Sequence, residues 1–202
     1  NIIYEHNRNN ISEKNYDFHI SMGSLRRFFR KDLNSFEKAS FGYLKSDLKK
    51  TNELNKKIRN QKKIICAGVS WGSKSKGQMA FFKTIELKEL AIRLGKLNIK
   101  LINLQYGDTN KEISNLKLKY DLDIIDIKEI DKTNNIDDLA ALVSACDLIV
   151  SIDNFLVQLS GALGVDTRIL LPSNMDSRWG LKGKNSYLHK SVSLYRQNEL
   201  GN

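Results

Sequence analysis

The sequence has few of the residues from which disulfides, metal sites and rigid turns are built. Its 202 residues include two cysteines, three histidines and one proline. Cys66 and Cys146 lie far apart and form no C-x-x-C pair, so the sequence indicates neither a disulfide framework nor a zinc site. His6, His19 and His189 are too scattered to predict a metal site. We expect a cytoplasmic protein that binds no metal and no cofactor.

Long hydrophobic runs are also missing. The most apolar stretch, residues 140–150, contains Ser144 and Asp147 and is shorter than the roughly 18–20 residues that a membrane-spanning helix needs. We therefore expect no membrane span, which leaves peripheral contact with a membrane open. The chain begins at Asn1 without the pattern of a signal peptide, and we interpret it as a fragment of a longer protein.

Positive charge is concentrated in the first third of the chain. The formal net charge is +10, and residues 1–60 carry 13 basic against 7 acidic side chains. Basic and aromatic residues occur together at 26–31, a combination typical of nucleic-acid-binding surfaces. The whole sequence is rich in lysine, however, and this bias explains the excess charge equally well. We expect no nucleic-acid partner, and keep nucleic-acid binding as an alternative hypothesis.

A regular alternation of strands and helices is predicted from residue 62 onward. The apolar run at 63–70 is typical of a strand buried on both faces. Apolar patterns predict further strands at 99–104, 124–126, 148–152 and, last, 167–171, with helices at 86–97, 111–120, 135–145 and 155–163. Strands separated by helices favour a doubly wound, mostly parallel Rossmann-like α/β sheet. An amphipathic helix at 44–61 is expected to link this domain, residues 62–202, to a preceding segment, residues 1–43.

Two loops are candidate ligand-binding segments, because they follow predicted strands at the carboxyl edge of the sheet. The loop at 70–77 is rich in glycine and serine, so its backbone N–H groups could approach an anion. It has Gln78-Met79 in place of the Lys-Ser/Thr pair of a Walker A loop, which argues against an ATPase. Gln105 and Tyr106 follow the next strand, with an amide and a ring suited to a nucleobase. The alternatives that involve no ligand are a mobile polar loop at 70–77 and an ordinary exit from the strand at Gln105 and Tyr106.

A third loop leads directly into a helix. Asp153 and Asn154 follow a predicted buried strand, and the helix predicted at 155–163 begins immediately after them. The free N–H groups of a first helical turn, directed towards the open edge of the sheet, suit a phosphate or diphosphate. Capping of the helix by Asp153 or Asn154 is the structural alternative, and the two interpretations are compatible.

Six segments of the chain resemble, in the same order, those of heptosyltransferase-like glycosyltransferases, including bacterial relatives fused to tetratricopeptide (TPR) repeats. The clearest is residues 147–164, DLIVSIDNFLVQLSGALG, which is similar to the family segment DLVISVDTxxxHLAGALGxP. The other five are residues 16–25 with 43–44, 69–72 (VSWG), 83–87 (KTIEL), 103–107 (NLQYG) and 193–197 (SLYRQ). Together they extend over nearly the whole chain.

The resemblance implies a GT-B glycosyltransferase, in which two Rossmann-like domains face a cleft and the C-terminal one holds a nucleotide-diphospho-sugar as donor. This chain would contain that domain and the last part of the acceptor domain. The implied activity is metal-independent transfer of a hexosyl or heptosyl group to an acceptor hydroxyl. The general base is expected in the missing N-terminal domain, so we do not expect this chain alone to catalyse transfer. The implied partners are the donor, the missing domain and upstream TPR repeats, and no pattern indicates an oligomeric state.

The same resemblance implies roles for individual residues. The diphosphate is expected at the N-terminus of the helix that follows Asp153, with Lys83 supplying positive charge. Gln105 and Tyr106 are expected near the nucleoside. The residues expected to bind the donor and its diphosphate are Ser70, Trp71, Gly72, Ser73, Lys83, Asp153, Asn154, Phe155 and Gln158.

Four positions depart from the family pattern. Asn154 and Gln158 stand where the family has threonine and histidine, Lys83 replaces an arginine, and Tyr106 replaces a lysine. A lysine cannot form the bidentate hydrogen bonds that an arginine forms with a phosphate or carboxylate group. These departures motivate the main alternative to an enzyme, a non-catalytic descendant that keeps the fold as an interaction module.

Overall fold

The chain divides into two compact units, residues 1–38 and 39–202. A computed structural model describes residues 17–32, 34–36, 41–60, 63–73 and 83–198. The described part of the first unit contains short elements, which are 3₁₀ turns at Met22–Ser24 and Asn34–Phe36 and a four-residue helix, α1, at Arg26–Phe29. The guanidinium of Arg30 lies 5.1 Å from the centre of the Phe36 ring, within the range of a cation–π contact.

The second unit is built on a parallel β-sheet. Its six strands are β1 (Cys66–Ser70), β2 (Lys100–Asn103), β3 (Ile124–Ile125), β4 (Leu148–Ile152), β5 (Thr167–Leu171) and β6 (Val192–Arg196). They pair in the order β3-β2-β1-β4-β5-β6, and every pairing is parallel. This arrangement confirms the predicted doubly wound α/β sheet. The direction in which strands are added reverses between β1 and β4, so the topological switch point lies between these two central strands.

Helices cover both faces of the sheet. They are α2 (Leu48–Arg59), α3 (Leu87–Gly95), α4 (Asn110–Tyr120), α5 (Ile136–Ala145) and α6 (Phe155–Leu163). Residues of α3 and α4 pack on one face around Val69, and residues of α2, α5 and α6 pack on the other around Ile149. The central strands are therefore buried on both sides, which explains their continuous apolar runs. No helix in the described ranges is long and apolar enough to cross a membrane.

The sheet has one strand more than the sequence predicts. β6 follows a long connection after β5 and pairs with it over five residues, Val192 to Arg196. Val192 and Leu194 are buried, whereas Tyr195 is exposed. β6 lies at the edge of the sheet and is covered on one face only, so its residues alternate between apolar and polar and show no continuous apolar run.

The helix predicted at 44–61 is α2, and it is part of the second unit. It begins after Asp47, whose carboxylate accepts a hydrogen bond from the backbone N–H of Lys50, and ends at Asn60 in a left-handed conformation. Leu54 and Ile58 of α2 are buried in the core that faces α5 and α6. The compact unit begins at residue 39, so α2 lies within it, and the predicted division of the chain at residues 43 and 61 stays a prediction.

The segment that leads into α2 is fastened to the end of α6. The backbone N–H groups of Tyr43 and Leu44 both donate to the carbonyl oxygen of Ala162, at 2.7 and 2.9 Å. Gly42 has a φ of +91°, and a Cβ at this position would lie 2.9 Å from backbone atoms of Leu163 and Gly164. A side chain at position 42 would therefore be strained and would collide with backbone that cannot move away.

An ion pair fixes the other end of α2 to the sheet. Nη2 of Arg59 lies 2.7 Å from Oδ1 of Asp147, and Oδ2 of Asp147 accepts a hydrogen bond of 2.8 Å from the backbone N–H of Cys66. A second N–H of Arg59 donates to the carbonyl oxygen of Ile64. One carboxylate thus joins the end of a helix to the beginnings of the two central strands.

We expect Asp147→Ala to lower the free energy of unfolding by about 1–3 kcal/mol, because the Arg59 guanidinium and the Cys66 N–H both lose their acceptor. Urea denaturation measures this change. The control is Asp123→Ala, which removes an exposed pair with Lys117 and should cost about 0–1 kcal/mol. Equal effects of the two substitutions would show that Asp147 is only another surface charge.

Candidate functional site

Three loops meet at the carboxyl ends of β1, β2 and β4. Ser70 is the last residue of β1, Gln105 lies two residues beyond β2, and Asn154 lies two residues beyond β4. β1 pairs with both β2 and β4, so all three positions lie at the same edge of the sheet. The polar residues predicted at these loops are therefore neighbours in space, at the switch point where open parallel sheets bind ligands.

The side-chain amide of Gln105 holds the loop that follows β1. Its Oε1 accepts hydrogen bonds from the Ser70 hydroxyl at 2.9 Å and from the backbone N–H groups of Trp71 and Gly72 at 2.9 and 2.8 Å. Its Nε2 donates to the carbonyl oxygens of Gly72 and Tyr106 at 3.1 and 3.3 Å. Gln105 is buried, and both polar atoms of the amide have partners in the protein. The amide thus shapes the loop, and its predicted contact with a nucleoside stays a prediction.

Asn154 joins this network to α6. Its Oδ1 accepts a hydrogen bond of 3.0 Å from the backbone N–H of Leu156, which caps the helix as the sequence predicts. Its Nδ2 donates to the hydroxyl of Ser70 at 2.8 Å. Ser70 in turn donates to Gln105, so a continuous chain of hydrogen bonds runs from β2 through β1 to the first turn of α6.

Lys83 and Asp153 form an ion pair at the same edge. Nζ of Lys83 lies 2.8 Å from Oδ2 of Asp153, and their side chains are 17% and 4% exposed. A second pair, Arg178 with Asp176, has an Nη2 to Oδ2 distance of 2.7 Å, and Arg178 also interacts electrostatically with Asp153. The hydrogen bond from the Arg178 side chain lowers the pKa of Asp176 to about 2. Among the residues that the structure describes, Lys83 and Arg178 are thus each paired with a carboxylate at this edge.

The aromatic side chains at the site lie in different environments. The indole of Trp71 is buried in the core beneath α3 and α4, and its Nε1 donates to Glu112 at 2.8 Å. Of Trp71, only the backbone is therefore available to a ligand at the loop after β1. Phe155 is 56% exposed at the first position of α6, and Tyr106 is partly exposed beyond β2.

The backbone N–H of Ser73 donates to the hydroxyl of Thr84 at 3.2 Å, which ties the loop after β1 to the segment beside Lys83.

Gln158 pairs with a histidine. Its Oε1 lies 3.0 Å from Nε2 of His189, which approaches from the connection between β5 and β6. His189 is buried, and burial lowers the pKa of its imidazole, so the ring is neutral near neutral pH. Gln158 lies four residues after Asn154 in α6 with part of its amide engaged, and its contact with a donor stays a prediction.

A cavity of about 390 Å³ opens beside Gln105, between the ends of β2 and β3. Its lining includes Gln105, Gly107, Asn110, Asp126, Lys128 and Lys132. Asp126 accepts a hydrogen bond of 2.9 Å from Nδ2 of the buried Asn103 and pairs with Nζ of Lys132 at 2.8 Å. The wall of the cavity is thus built from fixed polar groups, and the cavity adjoins the network around Gln105.

Thiols and metal ligands are not gathered at this site. Cys66 and Cys146 are free and buried, and burial raises the pKa of both thiols, so both are protonated at neutral pH. Within the described ranges, no group of three or more histidine, cysteine, aspartate or glutamate residues is arranged to hold a metal ion.

Solved structures share this fold. The chain superposes on E. coli ADP-heptose lps heptosyltransferase II with a TM-score of 0.53 and on a glycosyl transferase family 9 protein of Veillonella parvula DSM 2008 with a TM-score of 0.54, at 13% identity in both cases. The fold is that of the heptosyltransferase-like GT-B glycosyltransferases. The superpositions cover 75% and 81% of this chain, and 44% and 47% of the two structures.

At the level of sequence, Protein FlbA of Caulobacter vibrioides is 34% identical over 82 residues, which are 41% of this chain and 14% of that protein. No family model matches the chain. The matched part of this chain covers less than half the length of each of these three proteins. The structural likeness to the two glycosyltransferases therefore establishes the fold, and the resemblance stated from the sequence motifs is confirmed at that level.

Three side chains of this glycosyltransferase fold were not predicted to belong to the site. Arg178 lies in the connection between β5 and β6, which has no repeating pattern; His189 is one of three scattered histidines, and Asp126 is predicted as the end of a strand. Asp153 and Gln158, the partners of Arg178 and His189, are distant from them in sequence, whereas Lys132 lies only six positions after Asp126. For Arg178 and Asp126, the signal available in the sequence was a charged residue beyond the end of a strand.

We expect Gln105→Leu to lower the free energy of unfolding by roughly 3 kcal/mol or more, because three donors lose their shared acceptor inside the protein. Thermal and urea denaturation measure the loss. The control, Asn115→Leu, exchanges an exposed amide on α4 for leucine and should change the stability by no more than about 0.5 kcal/mol. A stable Gln105→Leu protein would contradict the role given to this amide.

Proposed function

We propose that this chain is the donor-binding part of a glycosyltransferase that transfers a sugar from a nucleotide-diphospho-sugar to an acceptor hydroxyl without a metal ion. The observation that carries the proposal is the convergence of Ser70, Gln105 and Asn154 at the switch point of the sheet. Open parallel sheets bind nucleotides in this crevice. The E. coli neighbour is an ADP-heptose heptosyltransferase, which supports a donor of the same chemical class.

The cavity between the ends of β2 and β3 is the proposed seat of the nucleoside. Its volume of about 390 Å³ falls within the range of small-ligand sites, roughly 300–1,000 Å³. Gln105 and Asp126 border it, and the carboxylate of Asp126 is an acceptor suited to a ribose hydroxyl. Because the cavity adjoins the loop after β1, a nucleoside there would direct its phosphates towards α6.

The N-terminus of α6 and Lys83 are the proposed diphosphate site. A helix N-terminus carries partial positive charge, and this one opens at the switch point beside Asn154. Lys83 donates to Asp153 through one of its three N–H bonds, which leaves two for phosphate oxygens. The same groups would stabilise the negative charge that develops on the nucleoside diphosphate as its bond to the sugar breaks and the acceptor oxygen bonds to the same carbon. This stabilisation is the reason for proposing transfer without a metal.

The acceptor side of the reaction is proposed to lie outside this chain. The described edge of the sheet offers donor-binding groups, whereas the general base that takes the proton of the acceptor hydroxyl is expected on a facing domain. Such an enzyme would act in the cytoplasm, and TPR repeats would form a further part of the protein. We expect the isolated chain to bind the donor and not to turn it over.

An interaction module derived from a glycosyltransferase is the second candidate. It is favoured by the fact that Gln105, Asn154 and Lys83 each already bond to another protein group. In that case the cavity beside Gln105 would be a remnant. The first experiment below separates this candidate from a donor-binding domain.

Calorimetric titration of the chain with UDP-glucose, GDP-mannose and ADP-glucose is expected to show binding of at least one donor with a Kd below about 1 mM. The proposal rests on nucleotide recognition, so the corresponding free sugar should not bind at the same concentration. If no donor binds at millimolar concentration, either to this chain or to a longer protein that includes the facing domain, the interaction module is the better description.

Charge substitutions at the ion pair should change donor affinity in opposite directions. Lys83→Met should weaken binding about tenfold or more, because it removes a cation and leaves Asp153 unpaired. Asp153→Asn should strengthen binding about threefold, because a carboxylate that repels the diphosphate is removed. The control is Lys119→Met, which removes an exposed lysine in the last turn of α4, and calorimetry in constant salt measures all three. Weaker binding by Asp153→Asn would mean that this carboxylate holds the donor.

A further inference from the structure

A second cavity, of about 550 Å³, lies between α3 and the ends of β5 and β6, and the proposed function assigns it no ligand. Leu90 and Arg93 of α3 line one side, and Leu170 of β5 and Tyr195 of β6 line the other. Lys83 also borders it, so the cavity adjoins the charged edge of the sheet. Its volume falls within the range of small-ligand sites, roughly 300–1,000 Å³. The cavity is therefore large enough to hold a small molecule of its own.

The wall that the sheet contributes to this cavity is apolar. Leu170 and Tyr195 are partners in the parallel pairing of β5 with β6. Both side chains lie on the α3 face, because the neighbouring Leu171 and Leu194 are buried in the core on the opposite face. Tyr195 is 53% exposed, and Pro172 continues the wall beyond β5. This part of the sheet is open to solvent, and a ligand with an apolar chain would cover it.

Positive charge prevails among the described residues that line the cavity. These are Lys83, Arg93 and Arg196 against Glu89. The guanidinium of Arg196 donates to backbone carbonyl oxygens of the connection between β5 and β6. Arg93 is exposed and is bonded to no residue that the structure describes, Glu89 one turn before it on α3 included. The guanidinium of Arg93 is therefore available to an anion.

We propose that this cavity binds an amphiphilic anion, a molecule with a phosphate or carboxylate group and an apolar chain. The anionic group pairs with Arg93, whose planar guanidinium forms bidentate hydrogen bonds with either group. The chain lies over Leu170 and Tyr195. An inorganic anion would use only the charge, and an uncharged chain only the apolar wall. The ligand enters as a single molecule from solution, and its binding does not depend on the donor, although Lys83 borders both sites.

Calorimetric titration with octyl phosphate, at concentrations at which it forms no micelles, is expected to give a Kd below about 1 mM. Ethyl phosphate should bind at least about tenfold more weakly, because its chain is too short to cover the apolar wall. Octyl glucoside should also bind at least about tenfold more weakly, because it carries no charge to pair with Arg93. Equal binding of either compound, or no binding of octyl phosphate, would overturn the proposal.

Substitutions on α3 test the charge. Arg93→Met should weaken binding of octyl phosphate about fivefold or more, because the anion loses its partner. Glu89→Gln should strengthen it about twofold, because a carboxylate that repels the anion is removed. The control is Lys96→Met, which removes an exposed lysine at the end of the same helix and should change the Kd by less than about twofold. Equal effects of Arg93→Met and Lys96→Met would mean that the anion is attracted by the net charge alone, and would overturn the proposal.

A pair of exposed tyrosines tests the wall. Tyr195→Ser should weaken binding of octyl phosphate about threefold or more and leave that of ethyl phosphate unchanged. Tyr120→Ser, the control, removes a tyrosine of similar exposure at the end of α4 and should change neither. Equal effects of the two substitutions would contradict a chain bound over Tyr195. Thermal unfolding of each variant shows whether it keeps the fold.

Vesicles of phosphatidylglycerol distinguish a dissolved ligand from a membrane surface. Sedimentation of the chain with vesicles that Arg93→Met leaves unchanged, together with no binding of octyl phosphate, would mean that the protein surface contacts lipid and would overturn the proposal. The proposed function is tested separately by the nucleotide-sugars. A chain that binds octyl phosphate and no nucleotide-sugar would keep this site and lose the proposed function, and the opposite result would keep the proposed function alone.

Discussion

One buried amide, that of Gln105, connects the carboxyl ends of β1 and β2. The arrangement of the loop after β4, which contains Asn154, depends on it. Three donors of the loop after β1 share its oxygen, and one of them, the Ser70 hydroxyl, is also bonded by Asn154. None of these bonds can be given up without leaving polar groups unpaired in the interior, which is costly. The crevice at the switch point is therefore shaped before any ligand enters it, and a ligand meets a site that needs little rearrangement.

Several cations at the described part of the site are each paired with a carboxylate. Lys83 is paired with Asp153, Arg178 with Asp176 and Lys132 with Asp126. An anion that approaches these cations therefore competes with a carboxylate for part of their hydrogen-bonding capacity. Such competition favours a ligand that also makes contacts elsewhere, such as a nucleotide, over a small free anion.

The central strands and helices could be predicted because burial on both faces of the sheet imposes apolar runs that are visible in the sequence. β6 was missed because an edge strand covered on one face lacks such a run. The loops of the site were predicted from their places after strands, but the partners of their side chains were not. The hydrogen bonds of Gln105 join residues more than 30 positions apart, and His189 meets Gln158 from a connection without regular structure. Those contacts depend on how the chain folds back on itself and leave no local pattern.

The close contact of Gly42 with the end of α6 has a mechanical consequence. α6 is a nine-residue helix, a stiff rod of roughly 13 Å, with Asn154 and the crevice at one end and Ala162 at the other. The entry segment at Tyr43 and Leu44 is bonded to that far end. A displacement of the first turn of α6 would therefore be transmitted along the rod to the peptide that connects this unit to the preceding chain.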